Sequence, residues 1–458
     1  MKPWPPRWIQ HLRYHLRGGF LIRPLTIALA LGAAGALLSY LEETFPQVSD
    51  LVPRALFPSH ADPQVAQIIL GGIAGSIMTV VSIVFAIMLM TLTLASVQFS
   101  PRIIVSFVRD RVTQWTLGVF LGTFSYCMAA LPAARSLPQP FSPVATVAGA
   151  MLLALTCVAW LLFFIHHISQ AISVSNIVDR IASETDAVID GIAPEPYRGA
   201  PLEALERVPV DTWETPLESD GSGYIRYVDI SKLVAIAKEN HVKVHLAHRV
   251  GQFVPPGAPL FMIYKGARLA PEAILELREA IDIGPARTLQ QDVEFGILQI
   301  VDIALKAISP AVNDPTTGVT CVDQLSRILI RVAARQPPSS FYYDPPGMVR
   351  VSVIWPTFEQ LVHTAFDQIR LYAQGDSAVS LRLLRALGDI AGSTADLEFR
   401  RNLYDRAKTI VEGCAKRLAG SDVRPMRVRL ARLEQLANGA EPLLREPETA
   451  APPSPRRG

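Results

Sequence analysis

The chain has 458 residues, half of them hydrophobic and only 18% charged, with a formal net charge of +2. This leaves room for two or three domains, and the shortage of charge relative to soluble domains points to a membrane. Near-neutrality argues against a dedicated nucleic-acid binder, which carries a strong basic excess. The four cysteines, Cys127, Cys157, Cys321 and Cys414, are too scattered for a zinc site or a disulfide framework.

The apolar character is confined to the N-terminal part, where roughly 20 apolar residues suffice for one helical span. Four stretches qualify, near 20–41, 68–97, 115–131 and 144–165, and define a transmembrane domain over 1–180. No small-residue cleavage site follows the first; Leu41-Glu42-Glu43 closes it, so it reads as a retained anchor. Lys2, Arg7, Arg13, Arg17 and Arg23 precede it, and Arg102, Arg109 and Arg111 lie between the second and third spans. The other two loops hold only Arg54 and Arg135. With four spans all the basic clusters fall on one side, which places both termini in the cytosol at a bacterial inner membrane.

The second span is longer than a bilayer requires. Gly72, Gly75, Thr79, Ser82, Ala86, Thr93 and Ser96 recur along it at alternating steps of three and four, with Leu89 the one large interruption. That period keeps one face turned to a neighbour. Two readings fit: a close helix–helix seam, or the lining of a pore with Ile83, Ile87 or Leu89 as an apolar constriction. The third span adds Gly118-x-x-x-Gly122, a packing signal. No Asp, Glu, Lys or Arg sits mid-span, which counts against a proton-coupled pump. After the second span, Ser100-Pro101 opens an expected amphipathic interfacial helix over 101–112, with Arg102, Arg109 and Arg111 for lipid headgroups.

Three strings give the chain a recognisable signature. The first is Leu94-Ala95-Ser96-Val97-Gln98-Phe99-Ser100-Pro101-Arg102 with Arg109-Asp110-Arg111-Val112-Thr113-Gln114. The second runs from Phe295-Gly296-Ile297 through Asp302-Ile303-Ala304-Leu305 to Ser309-Pro310-Ala311-Val312-Asn313-Asp314-Pro315, and the third from Val349-Arg350-Val351 to Ala365-Phe366-Asp367-Gln368-Ile369-Arg370. In this order they resemble a bacterial family of predicted integral membrane proteins, domain of unknown function 2254. The resemblance covers most of the chain to about Leu418 and implies architecture; it carries no activity and no catalytic residues. Ala311 departs from the glycine the resemblance leads one to expect.

The C-terminal part reads as a cytosolic α+β module. A Pro-rich, acidic stretch makes 181–222 a linker. Alternation in Tyr224–Val228 and Val242–Leu246 predicts strands flanking a helix over Ser231–Glu239. The glycine- and proline-punctuated run Arg249–Phe261 is similar to the turns of lipoyl-like, barrel-sandwich-hybrid domains, so 223–268 reads as a small β module; no carrier lysine is evident. A mainly helical domain fills 269–440, with helices over Leu289–Ile308, Phe358–Ala373, Ser377–Ala391, Leu397–Ala419 and Val423–Asn438, a loop over Gln336–Gly347, and a strand at Val349–Trp355. Asp314-Pro315 reads as a helix start. A disordered tail is expected over 441–458.

Asp302, Asn313, Asp314 and Asp323 are the candidate ligand-binding group, with capping and interhelical bonding as the alternative use of the same side chains. No phosphate loop, zincin, nucleophile-elbow or dinucleotide signature occurs. No catalytic residue, metal or cofactor is therefore assigned, and the chain is not read as an enzyme. The sequence supports a homo-oligomeric channel whose second span lines the pathway, or a non-conducting scaffold or sensor whose cytosolic domain binds a ligand or partner.

Overall fold

The computed structural model describes residues 22–45, 47, 49, 62–98, 111–136, 140–171, 173–193, 215–266, 269–344 and 348–440. They fall into two compact units, 1–176 and 177–458.

The first unit contains α1 (Ile22–Thr44), α2 (Pro63–Gln98), α3 (Arg111–Ala130) and α4 (Val144–Ala171). All four are long and apolar enough to cross a membrane. Helix α2 starts earlier than its hydropathy suggests, because Asp62 Oδ1 accepts the Gln64 amide and Pro63 takes the first helical position. Its 36 residues make about 54 Å of helix against a hydrocarbon core of about 30 Å.

Helix α3 is the centre of this unit: half of its apolar window is buried, against 17–22% for the other three. Glycines let it lie close to α1. Where Gly118 and Gly122 would carry a Cβ, the side chains of Ile27 and Leu31 already stand, and a Cβ on Gly35 would fall 2.6 Å from the Tyr126 carbonyl oxygen. The Gly118-x-x-x-Gly122 signal is thus used within the chain. At the far end of the bundle Glu42, 1% exposed, reaches the start of α4 and accepts the Ala145 amide (2.7 Å), the Thr146 amide (3.0 Å) and the Thr146 hydroxyl (3.0 Å). A carboxylate suits the positive end of a helix dipole, and the unpaired amides there suit an acceptor.

The second unit opens with α5 (Val174–Ile192), and the first strand, β1, is Thr215–Glu218. The interval expected to be linker, 181–222, therefore begins inside a helix and contains the whole of strand β1. An amphipathic face explains α5: Ile177, Val178, Ile181, Ala182, Thr185 and Ile189 are buried at helical spacing. There follow β2 (Gly223–Val228), α6 (Ile230–Glu239), β3 (Lys243–Leu246), β4 (Phe253–Val254), β5 (Pro259–Tyr264), α7 (Pro271–Glu279) and β6 (Ile281–Gly284).

The helical remainder is α8 (Val293–Ala307), α9 (Pro315–Ala333), α10 (Phe358–Tyr372), α11 (Ser377–Ser393), α12 (Leu397–Ala415) and α13 (Gly420–Ala437), interrupted after α9 by β7 (Phe341–Asp344) and β8 (Met348–Ser352). Strand β7 occupies part of the expected loop. The strands form two sheets, ordered β1-β5-β3-β8-β7 and β4-β2-β6. All pairings are antiparallel except β3 with β8, which join Val244 to Val351 and His245 to Ser352 in parallel. One core, including Ile225, Leu233, Leu246, Phe261, Leu277 and Val351, lies among the two sheets and helices α6 and α7. Deep in the helical part Arg400 is buried, and its guanidinium donates to the carbonyls of Ala391, Thr394, Leu436 and Ala440, tying the ends of α11 and α13 to α12.

Candidate functional site

Helix α2 sorts its residues into two opposite faces. Ala66, Leu70, Ala74, Ile77 and Val84 are buried against the rest of the bundle. At 100° per residue, Gly72, Gly75, Thr79, Ser82, Ala86 and Thr93 fall on the other side, and all six are exposed. Among the described residues, no atom lies within 4 Å of the positions where Cβ atoms on Gly72 and Gly75 would stand. Among these residues the stripe therefore makes no seam, unlike the glycines of α3. The side chain of Ser96, together with Arg102 and Arg109 and most of the expected interfacial helix, lies outside the described residues; Arg111 opens α3.

The hydroxyls on this face have a common orientation. Thr79 donates to the Gly75 carbonyl (3.1 Å), Ser82 to Met78 (3.0 Å) and Thr93 to Leu89 (2.8 Å). Each hydrogen is taken up by the helix's own backbone, which leaves the oxygen lone pairs as outward acceptors.

Two of the four acidic or amide candidates of the second unit, Asp314 and Asp323, have separate engagements. Asp314 caps α9, accepting the Thr317 amide (3.1 Å) and hydroxyl (2.6 Å), which hold its carboxyl below the usual range. Asp323 pairs through both oxygens with Arg382 on α11. Asp302 is half-buried on α8, and Asn313 is exposed with a left-handed φ of 51°. That angle places the tight position of the turn at Asn313 and not at Ala311, so a residue with a Cβ is tolerated at 311. No group of three metal-ligating side chains forms among the described residues.

Two features of this unit escaped the sequence reading. Along α9, Arg327 donates to Asp179 (2.9 Å) and Asp186 (3.2 Å), while Arg331 and Arg335 both bind Asp190 on α5. The hydrogen bond from Arg331 helps hold the Asp190 carboxyl below its usual range. The arginines recur every fourth residue, a spacing legible in the sequence once α5 is recognised as a helix.

The second feature is a cavity of about 400 Å³ among the last turn of α5, the end of α9, the β8–α10 connection and the start of α12. Its lining includes Ile189, Val332, Trp355, Phe358, Leu361 and Phe399. Beside it Asp292 caps α8 and receives Arg287 at 2.8 and 2.9 Å; Arg287 also reaches Glu294 (3.1 Å), which Arg249 contacts at 3.2 Å. Burial holds the Asp292 carboxyl above its usual range, and the hydrogen bond from Arg287 offsets only part of that rise.

Comparison with known proteins agrees with this architecture. Two mycobacterial proteins described as uncharacterized, one from Mycobacterium bovis and one from Mycobacterium tuberculosis, are each 29% identical over 447 residues, which is 96% of this chain and 83% of theirs. No solved structure matches. Residues 17–389, from the first apolar helix into α11, match the family described as "Predicted membrane protein (DUF2254)", and the chain belongs to that family.

Proposed function

We propose that this integral membrane protein is a homo-oligomeric pore in which the outward faces of α2 helices from several copies surround a shared pathway. Its orientation is the one set by the basic flanks, with both termini and the second unit in the cytosol of a bacterial inner membrane, where that unit assembles and gates the pore. The glycine-punctuated β part, barrel-sandwich-like in its turns, acts as the assembly module. The single observation that supports the reading is the inverted face of α2. Lipid favours large apolar side chains, such as the exposed Leu152, Leu155 and Leu162 on α4. Helix α2 buries Leu70 and Ile77 and presents glycines and hydroxyls on the opposite face, among the exposed Ile68, Ile83, Leu89 and Met90. Small residues suit a close neighbour, and outward hydroxyl oxygens suit water or a hydrated cation.

A row of acceptor oxygens without basic residues favours cations over anions. Reconstituted in liposomes, the protein is expected to pass potassium or sodium faster than chloride. Ser82→Leu is expected to lower that flux at least tenfold while the assembly persists. A well-folded oligomer that passes nothing under varied voltage, tension and pH would contradict the pore and favour a non-conducting scaffold.

A further inference from the structure

We infer that the cavity at the end of α5 is a binding site for a small, uncharged, ring-bearing apolar molecule. The inference concerns the second unit alone and stands independently of the pore reading. Its volume of about 400 Å³ lies within the range of small-molecule sites, which are mostly apolar with a few placed polar groups. Three aromatic rings stand among the aliphatic walls: Phe358 and Phe399 meet edge to face at 4.2 Å between centroids, and Trp355 lies in the same lining. Pro337, Pro338 and Pro356 add rigid wall segments, whose fixed φ leaves little freedom to lose on binding.

The charge of the ligand follows from the polar side chains of the lining: every charged one already has a partner within the protein, and Gln336, a neutral amide, is the one without among the described residues. Gln291 bonds through both ends of its amide to the Val228 backbone (2.9 and 3.3 Å). Asp292 is held by Arg287 and the Phe295 amide, and Asp396 accepts the Glu398 and Phe399 amides as the cap of α12. Thr357 is committed to a capping box with Gln360, the Trp355 indole donates to the Ser339 carbonyl (3.0 Å), and Arg335 pairs with Asp190 (2.6 Å). A charged ligand would have to draw one of these groups from its partner or enter without a counter-charge, and either is costly. An uncharged ring system needs neither and gains from apolar burial and ring contacts. The cavity also touches Ile189 and Ile192 in the last turn of α5, so occupancy bears directly on the helix that follows the last apolar span in sequence.

The test uses full-length protein labelled with 5-fluorotryptophan, with the Trp355 resonance assigned by its loss in Trp355→Phe. Three matched probes are titrated in detergent: 2-naphthol, 2-naphthoate and 2-(aminomethyl)naphthalene. The expected result is a saturable shift of the Trp355 resonance by 2-naphthol, with affinity at least tenfold higher than for either charged analogue. Ala333→Phe and Val332→Phe, which place a ring into the cavity from α9, should each abolish the shift while the other tryptophan resonances stay in place as the control for folding. The inference is overturned if 2-naphthol gives no saturable shift at Trp355. It is equally overturned if a charged analogue binds as well, or if both filled variants, folded by the same control, still respond.

Discussion

Single residues in the second unit show how backbone geometry and charge are set together. Gly251 has a φ of 86°, and a Cβ there would collide with the side chains of Asp292 and Arg287. Glycine is needed twice over, for the left-handed angle and for the approach of the turn to a buried ion pair. His245 is a different case. It stands on the parallel pairing of β3 and β8 with Nδ1 2.9 Å from the Ser352 hydroxyl, and burial holds its pKa below the ordinary 6.5. Below pH 6.5 the unfolded chain therefore binds a proton at this position more readily than the folded chain does. Stability from His245 is fully present above that pH and falls as the solution is acidified through 6.5 towards the depressed folded value. Between pH 7.5 and 5, chemical denaturation of wild type and His245→Gln is expected to show a steeper acid loss in the wild type. Parallel curves would remove His245 from this account.

At the scale of elements, the α5–α9 ladder joins the helix that follows the last span to the helical part of the second unit. Arg327, Arg331 and Asp190 are about 40% exposed, so each pair is worth at most about 1 kcal/mol, and Arg331→Ala alone is expected to change stability by no more than that. Arg327→Glu with Arg331→Glu turns attraction into repulsion at several contacts. Hydrogen exchange in α5 is expected to accelerate at least tenfold in that double variant, and to be restored by Asp186→Lys with Asp190→Lys. Unchanged exchange would mean that the buried face around Ile181 and Ile189 holds α5 unaided. The long elements were legible in the sequence because periodicity accumulates over many residues. Helix α8 lies close to its expected position, and α9 begins at the expected Asp314-Pro315 start. Strand β1 and strand β6 each have four residues, too few for alternation to stand out. The parallel partner of β3 is β8, about a hundred residues away, so nothing local announces it. The cavity draws on segments from Ile189 to Phe399, and only the fold brings them together. The stripe on α2 was legible as a face, whereas its direction required knowing which residues the bundle buries.

At the scale of the molecule, two helices use small residues in opposite ways. Helix α3 places Gly118 and Gly122 against α1 within one chain, and α2 leaves Gly72, Gly75, Thr79 and Ser82 facing outward. In the proposed pore that outward face meets a second copy. The four native cysteines are all buried, so an added thiol can be read without removing them. The measurement that tests this most directly is oxidative cross-linking of Ser82→Cys in native membranes, with Leu155→Cys on the exposed face of α4 as the comparison. The account predicts a disulfide-linked dimer for Ser82→Cys and monomer for Leu155→Cys. Monomer at position 82, or linkage no stronger than at position 155, would contradict it and return the face of α2 to lipid.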